Sequence, residues 1–294
     1  MPPILPLTKM LVVYWLHTVG AGTGANRHIV HVPLTEVLQY KHTDGSPQAN
    51  VVNLTGAAIA IGPNGSTYLQ MDSLLLQTLQ SSQVPQLHRA GIKLVLCIQG
   101  NGKQGFGDIP AEKAEDFANY VKQDVLDKYG LDGVDVDDEY PTGGNTKLEP
   151  VVAAMRQALG QDAILSKALY LDYDMSRKLI SYFDYGGIMD YGDSAAFLQE
   201  VYYKYLVIGW TNNKLLMGVN AGPVAQKDGN FTSVATVKAI TAWQPKGGTK
   251  RGMMLWSFSQ DVQQYTHDPQ NDAQLLYPNA KDHEWQRAIM AAMK

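Results

Sequence analysis

Acidic residues are crowded into the segment from Leu131 to Tyr140, where four aspartates and Glu139 interrupt a pattern that otherwise predicts a buried strand. Side chains of a strand alternate between its two faces, so Asp135, Asp137 and Glu139 share one face and the intervening valines share the other. Ionised carboxyl groups in a row repel one another, and this repulsion raises the pKa of at least one of them. Such a row is typical of a site that keeps a carboxylic acid protonated near neutral pH.

Short apolar, β-branched segments alternate with amphipathic stretches along the whole chain, and this alternation indicates βα units with a parallel sheet. The predicted strands are Met10–Leu16, Leu54–Ile61, Ile92–Gln99, Leu131–Glu139, Ile164–Leu171, Gly187–Tyr191, Leu215–Asn220 and Gly252–Phe258. The predicted helices are Ala111–Tyr129, Val151–Leu159, Ser233–Trp243 and Asp282–Met293, and the remaining connections are short or irregular.

These elements favour a closed (β/α)8 barrel over an open sheet. An open doubly wound sheet requires a phosphate-binding glycine turn after the first strand, and Gly20, Gly22 and Gly24 have the wrong spacing for one. No repeat or linker divides the chain, so we expect one catalytic α/β barrel domain over residues 1–294, with its core between about 8 and 293. Some of its helices are expected to be short or irregular.

The barrel places the acidic segment on the fourth strand, whose carboxyl end lies on the face where barrels carry their active sites. Asp135 is then deepest, Asp137 is in the middle and Glu139 is at the rim. Only a rim residue can reach a substrate, so we predict that Glu139 is a general acid whose pKa is raised by Asp137. Asp137 is expected to share a proton with Asp135 while the site is empty.

The acidic segment also resembles a family signature. The pattern Asp-Gly-x-Asp-x-Asp-x-Glu from Asp132 to Glu139 resembles that of glycoside hydrolase family 18, which contains chitinases and endo-β-N-acetylglucosaminidases. The longer string from Tyr129 to Tyr140, and Gly100-Asn101 after the third strand, are similar to the endoglycosidase H type of endo-β-N-acetylglucosaminidase. The resemblance extends to the whole barrel by analogy.

The resemblance implies a role for each carboxyl group. Glu139 would protonate the glycosidic oxygen, Asp137 would orient the substrate's own 2-acetamido group, and Asp135 would buffer Asp137. The acetamido oxygen is then the nucleophile that attacks C1 and forms an oxazolinium, so no enzyme carboxylate has to attack. Water opens this intermediate with Glu139 acting as the base, and the configuration is retained. Asp132 lies on the opposite face of the strand and is expected to be structural.

Further positions fit the family pattern at the sixth and eighth strands. The resemblance implies that Tyr191 donates its hydroxyl to the acetamido oxygen, with Met189 facing the barrel beside it. Trp256 would form the floor of the sugar site, because aromatic faces pair well with apolar sugar faces. Gln99 and Asn101, at the end of the third strand, could line the cleft or serve only the loop.

Three other residues near these strands carry separate expectations. Cys97 is the single cysteine, so no intrachain disulfide can form, and its apolar surroundings predict a buried, inert thiol. Tyr14, at the end of the first strand, is expected to pack. Phe106, in the glycine-rich loop after the third strand, could contact a glycan.

The motifs leave the activity open between related alternatives. We expect a retaining endo-glycosidase that cuts the β-1,4 bond between the two N-acetylglucosamine residues in the chitobiose core of N-glycans. Trp256 favours the alternative of a chitinase acting on chitin oligomers. A carbohydrate-binding barrel without turnover is a third possibility, although such barrels usually lose the rim glutamate. A Ca²⁺ site is disfavoured because its loops are glycine-rich and irregular.

Charge and hydropathy narrow the possible partners. The net charge of -4 and the absence of a Lys/Arg cluster argue against nucleic acid, and no apolar run is long enough to span a membrane. The N-terminus lacks the features of a signal peptide, and we slightly favour a secreted protein whose signal has been removed over a cytoplasmic one. We expect a monomer that binds an N-glycan or chitin-type oligosaccharide, or a glycoprotein, and needs no cofactor or metal.

Overall fold

Eight parallel strands pair in a closed ring, which confirms the predicted (β/α)8 barrel. The structure, a computed structural model, describes residues 9–21, 28–100, 102, 104–139, 144–221, 231–261 and 283–293. The barrel strands are β1 (Met10–Trp15), β2 (Val51–Ile61), β3 (Lys93–Gln99), β4 (Gly133–Asp137), β5 (Ile164–Leu169), β6 (Tyr185–Ile188), β7 (Leu215–Asn220) and β8 (Gly252–Trp256). Each strand pairs with the next, and β1 pairs with both β2 and β8, which closes the ring.

Helices and short helical turns surround this ring. The α-helices are α1 (Ser73–Leu79), α2 (Gln83–Arg89), α3 (Ala114–Tyr120), α4 (Glu149–Leu159), α5 (Arg177–Ser181), α6 (Ala195–Ile208), α7 (Val234–Ala242) and α8 (Glu284–Ala292). The 3₁₀ turns are Leu34–Gln39, Phe106–Asp108, Ala111–Lys113, Asn145–Lys147, Asn212–Lys214 and Phe258–Gln260. Helix α3 continues directly into the π-helix Val121–Asp127. Within the described part of the chain, no helix has the length and apolar character needed to cross a membrane.

The four helices predicted from sequence are all present, with ends displaced by a few residues. Helices α1, α2 and α5 contain only five to seven residues, so they are too short to produce a helical hydrophobic period. Three additional strands also escape the sequence pattern. The strands Thr18–Ala21 and His28–His31 form an antiparallel ribbon, and Thr67–Met71 pairs antiparallel with the outer half of β2.

The alternation of side chains divides the apolar core into two layers. The valines of β4, Val134 and Val136, pack in the layer between the strands and the helices. The inner layer fills the barrel and includes Val12, Cys97 and Met254. Cys97 is buried and has no disulfide partner, as expected. The acidic face of β4 therefore points into the barrel, and its carboxyl groups lie where the apolar filling ends.

Asp132 lies just before β4, at the opposite end of the barrel from Glu139. Its carboxylate accepts hydrogen bonds from Lys93 Nζ at 2.7 Å and from the Leu94 backbone N–H at 2.9 Å, and it lies 2.9 Å from His88 Nε2. These contacts connect α2, β3 and β4. They agree with the structural role expected for Asp132.

Close approach of neighbouring strands inside the barrel requires glycine at Gly218. A Cβ atom there would lie 1.8 Å from the carbonyl oxygen of Ile188, so Gly218→Ala should lower the free energy of unfolding by about 3 kcal/mol. Gly91 is the matched control, because its φ is +84° but a Cβ would meet no atom within 4 Å. Gly91→Ala should cost only about 1 kcal/mol, from backbone strain. Equal losses in urea-unfolding measurements would contradict the packing argument.

Candidate active site

A cleft of about 460 Å³ opens at the carboxyl ends of the barrel strands. Its lining consists of Tyr14, Asp137, Glu139, Tyr170, Leu171, Met189, Asp190, Tyr191, Phe197, Asn220 and Trp256. These side chains come from the ends of six strands, the loops that follow them and helix α6. Closure of the barrel is what brings them together, because the carboxyl ends of parallel strands meet on one face.

The three predicted carboxyl groups differ in burial, in the order expected. Asp135 is 1% exposed and Asp137 is 5% exposed, both on β4, whereas Glu139 lies two residues beyond the end of the strand and is exposed at the cleft. Asp135 is therefore withdrawn from a bound ligand, and Asp137 and Glu139 both reach the cleft.

Asp135 is held by hydroxyl groups from two other strands. One carboxylate oxygen accepts a hydrogen bond from the Tyr14 hydroxyl at 2.6 Å, and the other accepts one from Ser166 Oγ at 2.6 Å. Burial raises the pKa of Asp135, and these hydrogen bonds act in the opposite direction. Tyr14 was expected only to pack, and the sequence gives no sign that its hydroxyl binds a residue 121 positions away.

Asp137 has one satisfied oxygen and one free oxygen. Its Oδ2 accepts a hydrogen bond from Gln99 Nε2 at 2.9 Å and a weaker one from Cys97 Sγ at 3.6 Å. Its Oδ1 is buried without a hydrogen-bond partner among the described residues. Burial, together with the charges of Asp135 and Glu139, raises the pKa of Asp137 to about 7. Asp137 can therefore change protonation near neutral pH, and its free oxygen can accept a group that enters the cleft.

The pKa of Glu139 is also raised, and burial is the largest cause. Partial desolvation by the cleft walls raises the pKa first, Lys167 lowers it and Asp172 raises it. The repulsion between Asp137 and Glu139 contributes to the raised pKa of Asp137. Asp137 can therefore hold a proton near neutral pH.

Other predicted site residues lie in the cleft. Tyr191, Met189 and Trp256 all line it. The Tyr191 hydroxyl lies 3.7 Å from Met254 Sδ, and burial with the nearby carboxylates keeps its pKa well above the ordinary value, so the hydroxyl remains a donor. The Trp256 ring makes an edge contact with Tyr14 at a centroid distance of 5.4 Å, which fixes one wall of the cleft.

Gln99 and Phe106, for which contact with a ligand was one alternative, make other contacts in the structure. Gln99 is not among the residues that line the cleft, because its side-chain amide binds Asp137 instead. Phe106 does not face a glycan, since it is fully buried and packs against Phe117. Its backbone N–H donates to the carboxylate of Asp138 at 2.8 Å, which draws the loop into the core. Asn101 lies outside the described residues.

Several cleft residues have no motif by which sequence reasoning could find them. Tyr170, Leu171, Phe197 and Asn220 come from strand ends, loops and α6, and all line the cleft. Asp190 also lines it and accepts hydrogen bonds from two tyrosine hydroxyls. Only their position at the carboxyl end of a predicted barrel strand could have suggested the strand-end residues. Among the described residues, no group of three or more His, Cys, Asp and Glu side chains could hold a metal ion.

Comparison with known proteins connects this geometry to one group of relatives. The family model described as the endo-beta-N-acetylglucosaminidase EndoS TIM-barrel domain matches residues 65–255. An endo-beta-N-acetylglucosaminidase from Flavobacterium sp. (strain SK1022) is 36% identical over 138 residues, which cover 46% of this chain. The match covers only 39% of that relative's length.

Solved structures share the fold across nearly the whole chain. The apo endo-beta-N-acetylglucosaminidase from Cordyceps militaris is similar with a TM-score of 0.62 and 19% identity, covering 98% of this chain and 91% of that one. A putative chitinase A from Streptomyces coelicolor is similar with a TM-score of 0.69 and 18% identity, covering 98% and 99% of the two chains.

The hydrogen bond from Gln99 should tune the titration of Asp137. Because this bond lowers the pKa of Asp137, Gln99→Leu should raise that pKa above about 7. The measurement is carboxyl-carbon NMR of labelled aspartate, with the Asp137 signal assigned by its loss in Asp137→Asn. The control is Gln286→Leu, which removes a buried glutamine of α8 that donates a hydrogen bond to Gln48, and it should leave the titration unchanged. An unchanged Asp137 pKa in Gln99→Leu would contradict the assignment.

Proposed function

The chain belongs to the family of the endo-beta-N-acetylglucosaminidase EndoS TIM-barrel domain, and from this premise we propose that it is a retaining endo-glycosidase. It cuts the β-1,4 bond between the two N-acetylglucosamine residues in the chitobiose core of an N-glycan. The proposal rests on the decrease in burial along the row of Asp135, Asp137 and Glu139. Glu139 is accessible from the cleft, and the buried Asp137 beside it has one carboxylate oxygen without a hydrogen-bond partner among the described residues.

The first step uses the substrate's acetamido group as the nucleophile. Its oxygen attacks C1, the bond from C1 to the leaving oxygen breaks, and Glu139 transfers its proton to that oxygen. The free Oδ1 of Asp137 accepts the acetamido N–H, and the ionised carboxylate stabilises the positive charge of the oxazolinium. Tyr191 donates its hydroxyl to the acetamido oxygen and keeps it beneath C1.

The second step returns the proton. Water attacks C1, Glu139 accepts the proton of the water, and the oxazolinium ring opens to restore the acetamido group. Two inversions at C1 give net retention. Asp137 suits this cycle because a pKa of about 7 lets it hold a proton in the empty cleft and release it when the substrate binds.

The cleft walls supply the surfaces for the sugar rings. Trp256 offers an aromatic face for the apolar face of an N-acetylglucosamine, and Tyr170, Leu171 and Phe197 extend the apolar lining outward. A glycoprotein is the natural substrate in this proposal. The same Trp256 also supports a second candidate, a chitinase that releases chitobiose from chitin oligomers.

Products distinguish these candidates. The protein is incubated separately with a glycoprotein that carries a high-mannose N-glycan and with chitin oligomers, and both are followed by mass spectrometry. A mass loss that leaves one N-acetylglucosamine on asparagine supports the proposed endo-glycosidase. Release of chitobiose alone supports the chitinase, and binding without any product would overturn both in favour of a non-catalytic barrel.

Replacing the proposed acid tests its role directly. Glu139→Gln should lower kcat by at least about 100-fold, because the leaving oxygen is no longer protonated. Asp137→Asn should prevent oxazolinium formation but leave hydrolysis of a preformed sugar oxazoline measurable. Circular dichroism checks that both variants keep the fold. Most of the activity surviving in Glu139→Gln would mean that another group is the acid.

The Tyr191 hydroxyl has a measurable role in this scheme. Tyr191→Phe should reduce kcat by about 100-fold with little change in KM, because the hydrogen bond strengthens as the acetamido oxygen attacks. Tyr173→Phe is the control, since its hydroxyl binds Asp190 at 3.3 Å and has no part in the proposed attack. A change in KM alone for Tyr191→Phe would argue that the hydroxyl only binds substrate.

A further inference from the structure

A buried ion pair lies behind the cleft, next to the loop that carries Glu139. Lys167 on β5 is 0% exposed, and its Nζ lies 2.9 Å from Oδ2 of Asp172, which is 2% exposed. Neither residue lines the cleft. The neighbouring Ser166 points into the barrel and binds Asp135, so Lys167 points to the outer face of the strand.

The lysine holds the start of the loop after β4. Lys167 Nζ donates a hydrogen bond to the backbone carbonyl of Asp138 at 3.3 Å. The side chain of Asp138 is bonded from the other side by the backbone N–H of Phe106 at 2.8 Å. The residue between Asp137 and Glu139 is therefore fixed through both its main chain and its side chain.

The aspartate of the pair holds the far end of the same loop. Asp172 Oδ1 accepts a hydrogen bond from Asn145 Nδ2 at 3.0 Å, and Asn145 is itself buried. Asp172 Oδ2 also accepts the backbone N–H of Tyr170 at 2.9 Å, and Tyr170 is part of the cleft wall. The side chains of Lys167 and Asp172 thus hold both ends of the loop after β4, which carries Glu139, and one wall of the cleft.

Stability alone does not account for such a pair, because a fully buried ion pair often stabilises a fold no better than apolar residues of the same size. Two of the three hydrogen bonds of Lys167 go instead to the loops, to Asp172 and to the carbonyl of Asp138, and the third goes to the carbonyl of Ala168 on its own strand at 2.6 Å. We propose that Lys167 and Asp172 are positioning residues that hold Glu139 in its reactive place, an inference that rests on the proposed role of Glu139 as the acid.

The two charges act on Glu139 with opposite signs. Lys167 lowers the pKa of Glu139 and Asp172 raises it. The other titratable groups that line the cleft with Glu139 are Asp137, Asp190, Tyr14, Tyr170 and Tyr191. Lys167→Met should therefore raise the pKa of Glu139 and Asp172→Asn should lower it. The double variant should leave the pKa of Glu139 near its original value, although the hydrogen bonds to Asp138 and to Asn145 are both weakened.

These opposite signs separate positioning from electrostatics. A general acid loses activity above its pKa, so the alkaline limb of kcat should move to higher pH in Lys167→Met and to lower pH in Asp172→Asn. In the double variant the limb should stay in place while kcat falls by about 10- to 100-fold and KM changes little, because the acid is misplaced. A purely structural pair would change the melting temperature and leave kcat and the limb unchanged, and that result would overturn the proposal.

A matched control is available at the opposite end of the barrel. Lys250 is 3% exposed, and its Nζ donates to the carbonyls of Thr241 and Trp243 near the end of α7. Lys250→Met should lower the melting temperature without lowering kcat. A loss of kcat equal to that of the double variant would mean that general destabilisation causes the effect, which would also overturn the proposal.

Two additional measurements keep the inference testable on its own. Should the charge variants fail to fold, Asn145→Ala removes the hydrogen bond to Asp172 without leaving an unpaired charge. This variant should lower kcat several-fold and leave the alkaline limb of the kcat–pH profile unchanged. Full activity would count against the proposal. Should the wild-type protein cleave neither substrate, the proposed function fails. Carboxyl-carbon NMR then still shows whether Lys167→Met and Asp172→Asn move the pKa of Glu139 in opposite directions. The absence of both shifts would refute the proposed coupling between the ion pair and Glu139.

Discussion

A row of three carboxyl groups, two on β4 and one just beyond its end, is the constraint around which the rest of the site is built. They cannot all ionise so close together, so the surrounding strands must provide donors for some of them and leave a proton on another. Tyr14 from β1 and Ser166 from β5 satisfy Asp135, and Gln99 from β3 satisfies half of Asp137. A closed barrel is suited to this arrangement, because it brings side chains from strands far apart in sequence to the same interior point.

The gradient of burial along the row also separates the chemical tasks. The deepest carboxylate is fully hydrogen bonded and can only modify its neighbour. The middle one combines a pKa of about 7 with a free oxygen, and the outer one is exposed to the cleft. An enzyme whose substrate supplies its own nucleophile needs this set of groups, with one acid and one clamp, and does not need a second attacking carboxylate. Behind the cleft, Lys167 and Asp172 hold the main chain from which the acid projects.

The sequence was sufficient for the features that depend on local pattern. Strand periodicity predicted all eight barrel strands and the order of Asp135, Asp137 and Glu139, and the resemblance to endo-β-N-acetylglucosaminidases was confirmed by the family match. Features that depend on contacts between distant segments were missed. Nothing local to Tyr14 indicates its bond to β4, and the glycine-rich loop around Phe106 suggests exposure because the bond from its backbone to Asp138 is formed only in the fold. The buried pair behind the cleft was missed for the same reason.

The proposed mechanism depends on attack at C1 by the acetamido group of the substrate, and the electron density on the acetamido oxygen controls the rate of that attack. A series of glycopeptide substrates would carry acetamido, monofluoroacetamido, difluoroacetamido and trifluoroacetamido groups on the sugar whose C1 is cleaved, and kcat/KM would be measured for each. Fluorine withdraws electrons from the attacking oxygen, so attack by the acetamido group should give a steep fall in kcat/KM with each added fluorine. Rates that do not depend on the number of fluorines would show that the nucleophile comes from elsewhere.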